Sequence, residues 1–150
     1  MILENILSIS GKPGLYRLLS NNKRMLIVET IDRSKRMPVH STEQVVALSD
    51  VAMYTYEEEV PLREIMASLF GYMNGQKVDF NLKKVSKDEL FDLFGNVLPE
   101  FDRDRVHASD IKKLIQWYNL LLENKEITDE KIEEMKKAIA KEAEDSEDNK

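Results

Sequence analysis

The residues in this chain that could do chemistry are few and scattered. Gly11-Lys12-Pro13-Gly14 follows a short apolar run, where a phosphate-binding loop would stand. Such a loop needs G-x-x-x-x-G-K-[ST], so that backbone amides cradle the phosphates and a hydroxyl reaches magnesium. Aligned on Gly11-Lys12, its first glycine falls on Ile6 and its hydroxyl on Pro13. Both positions fail, and a Gly/Pro turn feeding a strand is the expectation.

Other chemistries fare no better. Zinc wants Cys or His at short spacings. The chain has no Cys, and its two histidines, His40 and His107, lie far apart in sequence. Asp102 and Asp104 alternate as calcium ligands do. However, His107 stands at the loop's glycine position and Lys113 at its closing carboxylate. No set of nucleophile, base and orienting group can be assembled. The expectation is no enzyme, no metal and no cofactor.

Two softer signals concern binding. Arg33, Lys35 and Arg36 cluster at one turn, with Lys23 and Arg24 a hairpin away, and Tyr16, Tyr54 and Tyr56 offer stacking faces. These are candidate RNA contacts. The second signal is helical. Trp117 sits at the edge of an apolar stripe, Leu120 lies on the polar side, and Ile132, Met135 and Ile139 form a thin stripe further on. Those five are candidate protein-interface residues.

The elements that must position these residues follow from pattern. The chain has 150 residues, 42% hydrophobic and 33% charged, which suits a globular protein with a real core. Residues 1–56 carry a net +2 and the remainder a net −8, which together make −6. This asymmetry hints at two modules. No apolar run is long enough to span a membrane, and no export signal is read at the N-terminus. A cytoplasmic protein without disulfides is expected.

In the first module, residues 15–20, 24–31 and 36–40 read as strands joined by turns at Asn21-Asn22 and Asp32-Arg33-Ser34. Pro38 pushes the third strand to an edge, because proline cannot donate to the ladder. Ser41 and Gln44 match a helix start, predicting a helical turn over Val45–Leu48. A last strand over 51–56 then closes the module. In the second, Pro61 opens a helix with Leu62, Ile65, Met66, Leu69, Phe70 and Met73 on one face, ended by Asn74-Gly75. Ser86 and Glu89 form a capping box for a second helix. Ser109 or Asp110 caps a third, with Ile111, Leu114, Ile115, Tyr118, Leu121 and Leu122 inward. Thr128 caps a fourth. The acidic tail 144–150 is expected to be disordered.

Three stretches, ILSISGKPGLYRLLS, YTYEEEVPL and LPEFDRDRVHASDIKKLIQWYNLLLEN, together resemble a family of conserved uncharacterised Bacteroidetes proteins filed as domains of unknown function. The resemblance covers most of residues 3–125. It implies a barrel-like N-terminal domain followed by a helical domain, and brings no activity, cofactor or catalytic residue.

The expectation is therefore an α+β protein. Residues 1–58 form a small SH3-like antiparallel β-barrel, and residues 59–143 form a three- to four-helix domain that packs on it. The function expected is a non-catalytic adaptor binding a protein partner or itself, with RNA binding through the basic turns as the alternative. Neither DNA nor membrane is an expected partner.

Overall fold

The computed structural model describes residues 2–40 and 43–148. Five antiparallel strands come first: β1 Ile6–Ile9, β2 Tyr16–Asn21, β3 Met25–Thr30, β4 Arg36–His40 and β5 Val45–Ala47. They form one sheet in the order β4-β3-β2-β1-β5. A 3-10 turn, Leu48–Asp50, leads to a second, two-stranded sheet of β6 Ala52–Tyr54 and β7 Glu59–Pro61. Four helices follow: α1 Leu62–Tyr72, α2 Lys87–Val97, α3 Ala108–Glu123 and α4 Asp129–Asp148.

The α+β class stands, but the five-stranded sheet is open. β4 and β5 end it, each paired on one side. The segment expected to close it, β6, leaves instead and pairs with β7, with Met53 opposite Val60. Val60 precedes a proline and is held extended, and Glu59–Pro61 forms a strand immediately before α1. The helical turn expected over Val45–Leu48 is also displaced. Val45–Ala47 pairs with β1, and the helical turn starts at Leu48. The cap expected at Ser41 lies outside the described residues. β4 is an edge strand, as Pro38 requires.

The turns follow their residues. Arg33 adopts φ 66° between β3 and β4. There the Asp32 carboxylate accepts hydrogen bonds from Thr30 Oγ1 at 2.6 Å, Ser34 Oγ at 2.7 Å and the Ser34 backbone N–H at 3.0 Å. These bonds, led by that from Thr30, hold the Asp32 pKa down at about 2.

One face of the sheet packs upon itself. Leu7, Ile9, Tyr16, Val28 and Val39 are buried together, with Leu18, Leu26, Met37, Val45 and Ala47 against them. A sheet whose own face converges in this way must curl, and the register shift between Leu18 and Ser20 supplies a bend. The rest of the apolar interior is continuous. Ile2, Leu3, Ile6, Leu15, Ile31 and Leu48 from the sheet region join the buried faces of all four helices in one cluster. Sheet and helices share a core.

The helix ends read closely to expectation. Ser86 caps α2 by accepting the Glu89 N–H at 3.1 Å. Thr128 caps α4 by accepting the Lys131 N–H at 3.2 Å. In α3 the cap is His107 rather than Ser109 or Asp110. Asp110 occupies the third helical position, where its carboxylate accepts the His107 N–H at 2.9 Å. α4 continues as helix to Asp148, into the stretch expected to be disordered.

Candidate functional site

A cleft of about 240 Å³ opens between β6, the segment before α3, and α3 itself. Its apolar lining is Val51, Met53, Leu62, Val106 and Leu114, with half-buried Trp117 as a wall. Arg105 and Lys113, both exposed, stand at its open side beside Asp110. Each piece has a local reason to be there. The β6–β7 turn is built on Thr55, whose hydroxyl donates to the Glu58 carbonyl at 2.6 Å and accepts the Glu58 N–H at 2.8 Å. The hairpin is then bonded to the segment between α2 and α3. Tyr56 N–H donates to the Glu100 carbonyl at 3.1 Å, and Asp102 N–H to the Tyr54 carbonyl at 2.9 Å.

Arg105 locks this arrangement. Its Nε donates to Asp102 Oδ2 at 2.8 Å and its Nη2 to the Thr55 carbonyl at 3.3 Å. Its guanidinium lies 4.3 Å from the centre of the Tyr54 ring. Asp102 also accepts the Asp104 N–H at 2.9 Å. The Arg105 side chain, first, and these amides lower the Asp102 pKa. Of the two alternating acids that suggested calcium, Asp102 is thus engaged in positioning a cation, and Asp104 supports it through its backbone N–H. Beside them, Arg103 stacks 4.5 Å from the centre of the buried Phe101 ring.

The residues singled out from sequence are distributed as follows. Trp117 lines the cleft. Leu120 lies elsewhere, in a second cleft of about 330 Å³ formed with Pro13, Ile31 and Glu123. Ile132 and Met135 are buried in the shared core and Ile139 packs against it, so the thin stripe of α4 is occupied by the chain itself. The basic residues do not form one patch. Lys23 and Arg24 precede β3 while Arg33 and Lys35 follow it, at opposite ends of the strand. Arg36 pairs with Glu29 at 3.3 Å, and the anionic Asp32 sits within the Arg33 turn. Tyr16 is buried, its hydroxyl donating to the Pro13 carbonyl at 3.1 Å. Tyr54 and Tyr56 are exposed, but on the helical side rather than on the five-stranded sheet.

Lys12, the lysine of the apparent phosphate loop, reaches Glu43 at 3.8 Å. His40 ends β4 and His107 opens α3. Among the described residues, no group of three or more His, Cys, Asp or Glu is placed to hold a metal ion, and no helix is long and apolar enough to cross a membrane.

Sequence reasoning missed Arg105, Lys113 and Tyr54 as one site. The signal was present as three interrupted fragments, YTY, FDRDRV and DIKKLIQW, which only the pairing of the hairpin with residues 100–102 brings together.

Residues 3–48 match a family described as a domain of unknown function (DUF5606), and residues 51–121 match another (DUF6852). The two meet at the 3-10 turn, so the β6–β7 hairpin falls with the helices. No curated protein matches. A solution NMR structure from Bacteroides vulgatus, a structural-genomics target, is 52% identical. The alignment covers 85% of this chain and 90% of that one, with a TM-score of 0.71. The chain belongs to the same family of uncharacterised Bacteroidetes proteins, built from these two domains of unknown function.

Proposed function

We propose that this chain is a non-catalytic protein-interaction module, and that it receives its partner in the cleft between β6 and α3. The single observation behind this reading is the character of that cleft. Buried and half-buried apolar residues line it, Trp117 forms one wall, and its charged lining residues are Arg105, Asp110 and Lys113, two of them exposed. A half-buried aromatic with apolar surroundings and a polar rim is the anatomy of a binding hot spot. The fixed hairpin adds to the case, because a pre-organised surface loses less conformational freedom on binding. We read the five-stranded sheet as an SH3-like barrel left unclosed between β4 and β5, serving as the platform for the helices.

The test is affinity capture on the immobilised full chain, run with and without RNase, comparing the native protein with Trp117→Ala. Circular dichroism of both checks that the variant folds, and Lys113→Glu serves as an exposed second variant. Protein captured by the native chain, insensitive to RNase and lost on both variants, is the expected result. Capture that survives both substitutions, or that RNase abolishes, overturns the reading.

A further inference from the structure

We infer that the occupant of this cleft is a short acidic peptide segment with an apolar or aromatic side chain, an assignment that rests on the docking reading above. The argument is charge and pre-organisation. Lys113 is exposed at the mouth, and among the described residues no carboxylate pairs with it. Asp110, its acidic neighbour in the cleft, already accepts the His107 backbone N–H. Arg105 is held by Asp102, the Thr55 carbonyl and the Tyr54 ring, which fixes its plane. A guanidinium carries five N–H donors. Those bonds use the Nε side of the fork and leave the remaining donors for a carboxylate, with the side-chain entropy already lost.

Two cations flanking an apolar slot suit one or two carboxylates next to a buried side chain. They do not suit a polyanion. The chain carries a net −6, and Asp102, Asp104 and Asp110 lie within the same segment, so long-range repulsion, which grows with ligand charge, disfavours a phosphate backbone far more than one or two carboxylates.

The chain's single tryptophan is Trp117, so tryptophan emission arises from the wall of this cleft. A library of short random peptides is selected on the immobilised full chain. The winning peptides are then titrated against native protein and Lys113→Glu, each beside a copy with Asp and Glu changed to Asn and Gln. A single-stranded RNA oligomer is titrated in parallel. The expected winners combine Asp or Glu with an apolar residue and shift Trp117 emission. They lose affinity by at least ~10-fold for Lys113→Glu, their neutral copies lose as much for the native protein, and their binding weakens with salt. Winners that are neutral or basic yet still shift Trp117 overturn the partner chemistry alone. So do acidic winners indifferent to Lys113→Glu, or RNA that shifts Trp117 in their place. A selection that enriches nothing, alongside a capture experiment that retains nothing, overturns the docking reading as well.

Discussion

Arg17 on β2 forms an ion pair with Glu126 in the turn between α3 and α4, tying the sheet to the helices across a long stretch of chain. Both side chains are largely enclosed, 23% and 14% exposed, and Lys131 stands 4.0 Å from the other oxygen of Glu126. Arg17 Nε is buried without an acceptor. Removing one member of such a pair strands the other. Glu126→Leu is expected to cost about 2–3 kcal/mol, below the ~3–5 kcal/mol of a fully buried pair. Arg17→Met combined with Glu126→Leu should cost less than Glu126→Leu alone. Urea denaturation of the double-mutant cycle measures this.

The continuous core predicts one cooperative transition. Trp117 fluorescence, which reports the helices, and the far-ultraviolet signal of the whole chain should lose structure at the same urea concentration. Limited proteolysis at residues 57–60 that releases two stable folded pieces would contradict a shared core.

Met135 gives the sharpest test that α4 docks. It is 2% exposed, in the same cluster as Leu62 and Tyr118. Met135→Ala should destabilise by ~2–4 kcal/mol through lost burial and the cavity it leaves. Lys136→Ala, one position on and exposed, should stay within ~0.5 kcal/mol. Equal, small effects from both would mean the helix does not pack as described.

Asn119 on α3 acts as a backbone clamp on the connector between α1 and α2. Its Oδ1 accepts the Val78 N–H at 2.9 Å, and its Nδ2 donates to the Val78 carbonyl at 3.0 Å. Val78 is buried, so Asn119→Ala leaves both groups unmet, at a cost of about 2 kcal/mol or more. Hydrogen exchange should show the Val78 amide losing protection ahead of the α3 amides.

Asp32 and Tyr118 contribute at opposite ends of the pH profile. Asp32 is held from 3.8 down to about 2 in the fold. Its contribution is therefore present above pH 4, and is lost as pH falls through that interval toward 2. Asp32→Asn should remove this part of the acid dependence, leaving a flatter stability curve there. Burial pushes the Tyr118 hydroxyl up to about 12. The unfolded tyrosine loses its proton first, near 10, so stability falls as pH rises from 10 toward 12. Tyr118→Phe should abolish that alkaline slope. It also forfeits the 2.7 Å bond to the Gln76 carbonyl. Denaturation midpoints at stepped pH check both.

Much of the fold was legible where the signal is local. Leu62, Ile65, Met66, Leu69 and Phe70 recur at helical spacing, and all are buried. Ser86 and Thr128 announce their helices, because a side-chain oxygen can satisfy a free N–H only at that position. Pro38 announces an edge because it lacks a donor. The candidate site was legible only in part. Trp117 stood out by its type, but its partners Tyr54 and Arg105 come from segments about fifty positions apart in the chain.

The sequence by itself determined the strands over 15–40, the four helices, the caps at Ser86 and Thr128, and the absence of cysteine chemistry, since each follows from bonds and periods spanning a few residues. Tertiary structure alone decided that β6 abandons the sheet for β7 and that α4 spends its stripe on the chain's own core. Those outcomes turn on competition between distant segments for the same hydrogen bonds and the same apolar surface. No local pattern records which competitor prevails.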